Sequence, residues 1–212
     1  MLSKDYERAR KEMVEFQILN RGVLDEKLLN VMRETPRHLF VPKALSRAAY
    51  DDNPLPIGYG QTISQPYMVA LMTEILELRG DEKVLEIGAG SGYQAAILSR
   101  LAKRVVTVER VKELAERTKR LLKKYKYNNI VVIHGDGTRG YEKEAPYNAV
   151  MITAAAPEIP RRIIDQLADS GRIVAPVGPR YHQELVRIKK VNGKLQKEYF
   201  GGCIFVPLIS DD

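Results

Sequence analysis

The stretch Val84 to Tyr93, VLEIGAGSGY, sets Gly88, Gly90 and Gly92 directly behind the apolar run Val84, Leu85 and Ile87. Such a run suits a buried parallel strand, and Gln94 to Leu101 beyond it has the spacing of a helix. A strand that turns through glycines into a helix lets backbone approach a ligand closely, because no Cβ intervenes. In open α/β sheets that crevice lies at the carboxyl ends of the strands. Two further strand ends carry carboxylates. Val105 to Val108 runs into Glu109 and Arg110, near the ~20-residue offset from Gly88 at which a ribose-binding acid is expected. Ile130 to Ile133 runs into His134-Gly135-Asp136-Gly137. Gly88, Gly90, Glu109, Arg110, Asp136 and Gly137 are therefore candidate nucleoside-binding residues.

The spacing G-x-G-x-G differs from the dinucleotide fingerprint G-x-G-x-x-G, and Glu86 would repel a pyrophosphate two residues away. A carboxylate there suits a cationic ligand in a partly desolvated cleft. S-adenosylmethionine carries a sulfonium and an ammonium and no phosphate. It is the expected cofactor, with Glu86 added to its site, and an NAD-dependent oxidoreductase fits less well.

A second constellation is Gln61-Thr62-Ile63-Ser64-Gln65-Pro66, which leads into a helix over Tyr67 to Leu76. Pro66 belongs in a first helical turn, which puts the N-cap at Ser64 or Gln65. Residue types alone favour Ser64 as a cap. Two hydroxyls at the positive end of a helix also make a site for a carboxylate. No Ser/His/Asp or Cys/His set is spaced for nucleophilic catalysis, and His38 reads as structural or surface. Cys203 is the only cysteine, which excludes intrachain disulfides and cysteine-cluster metal sites, and no metal is expected. Within Cys203-Ile204-Phe205-Val206 it reads as a buried small hydrophobe.

The elements that must position these residues follow from periodicity. Residues 4 to 19 have helical spacing with Tyr6, Met13, Phe16 and Leu19 apolar, and Gly22 ends them. Asp25 caps a helix over Glu26 to Arg33, with Leu28, Leu29 and Met32 inward, and Pro36 stops it. Lys43 to Tyr50 reads as a short helix and Asp51 to Gly60, rich in proline and glycine, as a loop. Asn148 to Ile152 is a fourth strand, and the small residues Ala154 to Pro157 behind it leave room for a ligand. A helix over Arg161 to Leu167 precedes a fifth strand, Arg172 to Val177. Glu184 to Val191 and Lys194 to Phe200 flank Asn192-Gly193, a strong hairpin signal.

The 212 residues, 44% hydrophobic and 29% charged, describe one soluble domain able to bury a core. We expect residues 1–60 to form a helical amino-terminal segment, 61–180 the cofactor-binding core and 181–212 the closing antiparallel strands. Neither a leader nor a membrane span is apparent, so a cytoplasmic protein is expected. The net charge of +7 is spread widely. Its densest group, Lys119, Arg120, Lys123, Lys124 and Lys126, alternates with Leu121 and Leu122 as on a solvated helix face, so no nucleic-acid partner is expected.

With these residues assembled, the chain resembles the protein-L-isoaspartate O-methyltransferases. The likeness lies in Thr35 to Pro42, Gly60 to Pro66, Val84 to Tyr93, Gly135 to Gly137, Ala154 to Pro157, Ser170 to Gly178 and Cys203 to Leu208. The glycine motif alone marks a class I methyltransferase; GQTISQP and the closing FVPL single out the family. The resemblance implies an α/β fold: a Rossmann-like, seven-stranded, mostly parallel sheet with an antiparallel last strand and an extra amino-terminal helical segment. It implies S-adenosyl-L-methionine at Glu86, Gly88, Gly90, Glu109 and Asp136, with Thr62 nearby. It places the substrate at Thr62, Ile63, Ser64 and the Phe205–Val206 backbone, Ser64 becoming a site residue as well as a cap. The implied activity is methylation of the free carboxylate of isoaspartyl residues in damaged proteins and peptides by a monomer. Asn148 and Ala168 to Gly171 depart from the family's usual residues, away from the site.

That chemistry needs no general base, since a carboxyl group titrates near ~4 and is already ionised at neutral pH. What remains is to hold two reactants at attack distance and exclude water. Neutral hydroxyls orient a carboxylate without quenching it, and an extended edge at Phe205–Val206 would recognise peptide backbone by strand-like pairing. A class I methyltransferase acting on RNA or a small molecule is the alternative.

Overall fold

The computed structural model describes residues 3–211. Helix α1 (Ser3–Glu12) continues through a π-helical turn, Met13–Ile18, and a 3₁₀ turn, Leu19–Arg21, to Gly22 at φ +93°. The π turn adds a residue to the helical repeat and rotates the apolar stripe. Met13, Val14 and Ile18 are fully buried, whereas Phe16, one of the apolar positions of the helical repeat, is 65% exposed. Helix α2 (Glu26–Glu34) starts as expected: the Asp25 carboxylate accepts from the Lys27 and Leu28 N–H groups, and Leu28, Leu29 and Met32 are buried.

Two expectations fail between the helices and the sheet. Lys43 to Tyr50 forms only a 3₁₀ turn, Lys43–Leu45, followed by turns. The expected loop from 51 to 60 contains β1 (Leu55–Gly58), which pairs antiparallel with β2 (Gln61–Ile63). In a two-stranded ribbon each strand has one free edge, so Pro56, second in β1, can sit with its missing N–H on that edge, and breaker residues do not preclude the strand. Helix α3 (Pro66–Ile75) has Gln65 at its N-cap with no side-chain cap bond, so Ser64 is not a cap.

The remaining elements alternate. They are β3 (Lys83–Ile87), α4 (Tyr93–Ser99), β4 (Arg104–Glu109), α5 (Lys112–Lys124), β5 (Ile130–His134), β6 (Tyr147–Ile152), α6 (Arg161–Asp165), β7 (Leu167–Val177), β8 (Gln183–Val191) and β9 (Lys194–Cys203). The seven-stranded sheet has the order β5-β4-β3-β6-β7-β8-β9. Pairings from β5 to β7 are parallel, and β7–β8 and β8–β9 are antiparallel. The hairpin turns at Asn192 (φ +51°) and Gly193 (φ +74°), two left-handed residues as a tight turn of this twist requires. Strand β7 begins earlier than expected: a bulge between Tyr147 and Ala149 accommodates Ala168 to Gly171, with Ser170 at φ +62°.

The central strands β3, β4 and β6 are buried on both faces, and the alternation of period two divides their side chains, whereas β5 is half-buried and β9 largely exposed. Leu85, Ile87, Val106, Val108, Val150 and Ile152 pack on one side with Ile163 of α6. Val84, Val105, Ala149 and Met151 pack on the other beneath Met72 and Ile75 of α3 and Leu98 of α4. Glu86 falls on this second side. The family departure at Asn148 is benign, for its Oδ1 accepts from the Lys83 N–H at 2.9 Å and ties β6 to β3. Cys203 is half-buried rather than buried, and burial first, then Glu184, pushes its thiol up to about 11.

Candidate active site

Three depressions meet at the carboxyl ends of β3, β4 and β6, and Thr62 and Thr153 line all three. The first is a narrow cleft walled by Gly88, Gly90, Glu109, Arg110 and Gly137 and roofed by Val206 to Ile209. The second is a groove of about 820 Å³ that runs from Ser64 and Gln65 to Arg180–Gln183 and Gly202–Pro207. The third is a small recess beneath Ile63, Ser64 and the Gly88–Ser91 loop.

The glycine loop is held by the strand beside it. Gly88 and Ala89 donate to the Val108 carbonyl, and Gly88 adopts φ +98°. A Cβ on Gly88 would lie 2.5 Å from the Thr153 hydroxyl oxygen, and one on Gly137 would lie 2.5 Å from Cγ2 of Ile87. The Thr153 hydroxyl in turn donates toward the carbonyls of Ile87 and Gly88, each at 2.9 Å. Thr153 went unnoticed in the sequence because nothing in its neighbours marks it; the signal available was its position at the end of the fourth strand.

Glu109 stands where expected. It is buried at the cleft wall, with Oε2 accepting from the Gly90 N–H at 2.8 Å and Oε1 from the Val111 N–H at 2.9 Å. The same carboxylate thus fixes the glycine loop and the entry to α5. Arg110 lines the cleft, 3.6 Å from the Asp211 carboxylate. Asp136 lies just behind Gly137. Burial opposes its ionisation, but hydrogen bonds from the Thr138 hydroxyl and N–H, with further help from the Asp211 N–H and Arg139, hold it below its usual range.

Glu86 requires a correction. It is fully buried under α3 and α4, does not line the cleft, and neither oxygen has a hydrogen-bond partner. Thr107, its register partner on β4, lies alongside but falls short of hydrogen-bond geometry. Burial pushes Glu86 up to about 8, with Glu109 adding to the rise against the pull of Thr107. At neutral pH it is largely a neutral acid rather than a charge aimed at a cation.

At the groove, Ser64 is half-buried and Thr62 exposed, while Ile63 between them points into the core. The alternation of β2 makes this unavoidable. Ser64 is anchored by a residue the motifs did not identify as functional. Arg37 is fully buried, donates from Nε to the Ala49 carbonyl at 2.8 Å and from Nη2 to the Ser64 carbonyl at 2.7 Å, and lies over the Tyr93 ring at 4.9 Å. Burial lowers its pKa to about 10, still well above neutrality. His38 is structural, as expected: it stacks on Tyr6 at 3.9 Å, with Nδ1 2.7 Å from the Tyr50 hydroxyl.

Across the groove, the Phe205 N–H donates to Oε1 of Gln183 at 2.8 Å, and the Val206 carbonyl accepts from the Ala155 N–H at 2.7 Å. The expected free edge is therefore half engaged. Among the described residues, the Phe205 carbonyl and the Val206 N–H make no hydrogen bond.

The cleft suits S-adenosylmethionine. Its charged lining is one acid and one arginine already paired, which gives a diol its acceptor and offers a pyrophosphate almost nothing. Glu109 and Arg110, with backbone at Gly88, Gly90 and Gly137, would hold it. Among the described residues no group of three or more His, Cys, Asp and Glu could hold a metal, and no helix is long and apolar enough to cross a membrane.

Comparison with known proteins agrees with this geometry. The family model of protein-L-isoaspartate(D-aspartate) O-methyltransferase matches residues 8–212. A protein-L-isoaspartate O-methyltransferase of Methanoculleus marisnigri is 58% identical over 95% of this chain and 92% of its own. Another, from Geobacter metallireducens, is 54% identical over 97% and 95%. The structure of a Plasmodium falciparum protein of the same kind, in complex with S-adenosyl-L-homocysteine, superposes with a TM-score of 0.83 at 28% identity, covering 94% of this chain and 98% of that one. This chain belongs to the protein-L-isoaspartate(D-aspartate) O-methyltransferase family.

Proposed function

We propose that the chain methylates the free carboxylate of L-isoaspartyl residues in damaged proteins and peptides, using S-adenosyl-L-methionine bound in the narrow cleft. The observation that carries this reading is the junction at Thr62 and Thr153, where the cofactor cleft opens directly onto a groove wide enough for a peptide. When bound, the cofactor supplies an electrophilic methyl group on a sulfonium. The remaining work is positional. Glu109 accepts from the ribose hydroxyls while keeping the glycine loop in place. Glu86, Asp136 and Gly137 support the floor from beneath and behind. Ser64 and Thr62 donate hydrogen bonds that orient the substrate carboxylate, which is ionised without a base. The free Phe205 carbonyl and Val206 N–H belong to one trans peptide group and point opposite ways, so one of them bonds substrate backbone, a contact that does not depend on sequence. Substrate filling the groove excludes water from the reacting groups.

We propose that it acts as a monomer. The dense basic group at and just beyond the end of α5 is exposed and lines neither the cleft nor the groove, which favours protein over RNA as substrate. A split in the effects of two variants tests the assignment. Glu109→Ala is expected to weaken S-adenosylhomocysteine binding by ~1.5–3 kcal/mol, the usual worth of hydrogen bonds to a charged group. Ser64→Ala is expected to leave that affinity unchanged and to slow peptide methylation roughly ten- to a hundredfold. If both variants lose cofactor affinity equally, the division into cleft and groove is wrong.

A further inference from the structure

The wall of the groove contains Arg21, Arg180 and His182 and no Asp or Glu. Its two arginines are not equivalent. Arg21 lies 2.6 Å from the Asp52 carboxylate and 3.4 Å from the centre of the Tyr67 ring. Asp52 also accepts from the Gln65 side chain and the Tyr67 N–H, so this corner is electrically balanced and fixed. Arg180 has no ion pair among the described residues, and Glu184, the acid that follows on β8, is exposed and outside the wall.

The backbone at Arg180 is held at a set place. Gln183, 1% exposed, donates from Nε2 to the carbonyls of Pro179 at 2.7 Å and Arg180 at 2.8 Å. Its Oε1 accepts from the Phe205 N–H. One buried amide thus fastens the 179–183 turn to the strand-like segment at Phe205–Val206. Tyr181 and Ile204, 78% and 75% exposed, also line the groove, and the Arg180 guanidinium lies 5.5 Å from the centre of the Tyr181 ring.

We infer that Arg180 is a specificity residue that selects isoaspartyl chains carrying an acidic side chain a few residues from the damaged position. This rests on the groove being the peptide site. An exposed guanidinium without an ion pair at the groove wall favours a carboxylate and disfavours an ammonium in the approaching chain, and most of the effect should appear in encounter and KM.

The test uses N-acetylated, C-amidated isoaspartyl peptides that differ only in Glu, Gln or Lys at positions two and three residues to either side. The Glu peptide on the favoured side is expected to exceed the Lys peptide about tenfold in kcat/KM at low salt, with the gap closing as salt is added. Arg180→Glu should reverse the order of the Glu and Lys peptides. Equal rates for all peptides, or an order that survives Arg180→Glu, would overturn the inference. Absence of transfer to every peptide would instead overturn the groove assignment, and the inference with it.

Discussion

Glu86 sits on an alternation that puts it inside the sheet, and its buried oxygens make the protein's stability depend on pH. Its pKa rises from 4.5 to about 8 on folding. Across that interval the folded chain keeps a proton the unfolded chain has lost. The unfolded state therefore binds fewer protons, and stability falls with rising pH by up to ~1.4 kcal/mol per unit. Glu86→Gln should remove this slope, read as melting temperature against pH without ligand. Parallel profiles for the two proteins would contradict the buried, neutral acid. The example also marks a limit of reading residues singly. The position of Glu109 at the cleft wall was legible because it follows from the end of a strand. Glu86 was misread because spacing along the chain says nothing of which face a side chain enters. Arg37 went unassigned, since its carbonyl partners at Ala49 and Ser64 are brought to it only by folding.

At the scale of elements, the glycine loop makes the sharpest prediction. Gly88→Ala would place a Cβ at φ +98° and 2.5 Å from the hydroxyl that anchors the loop. Strain of ~1–3 kcal/mol, together with that clash, should weaken S-adenosylhomocysteine binding at least about tenfold, measured by calorimetry. Gly193→Ala is the control: its φ is +74°, but no atom lies within 4 Å of the added Cβ, and it is remote from the cleft. It should lower the melting temperature and leave the affinity alone. Equal affinities for the parent and Gly88→Ala would refute the assigned role of the loop. Most elements could be placed from periodicity, because strands buried on both faces and amphipathic α5 announce themselves. The π turn at Met13–Ile18 could not, since its extra residue breaks the repeat that periodicity assumes. Strand β1 was hidden by its prolines and glycines, and the cap at Ser64 failed because Pro66 moved the N-cap to Gln65.

At the scale of the molecule, a parallel sheet supplies the cofactor cleft at its strand ends, and the added segments supply the groove. The helical amino terminus delivers Arg37 beneath Ser64, the β1–β2 ribbon delivers Thr62, and the segment after β9 closes over the cleft with Val206 to Ile209. Both additions were visible in the sequence as motifs, but their meeting across the groove depends on long-range packing that no local pattern encodes. The measurement that bears most directly on the whole account is labelled methyl transfer from S-adenosylmethionine to one peptide prepared in two forms, with isoaspartate or with ordinary aspartate at a single position. We predict a base-labile methyl ester on the isoaspartyl form alone, reduced in Ser64→Ala. Equal labelling of both forms, or label on neither while RNA or a small molecule is methylated, would contradict it.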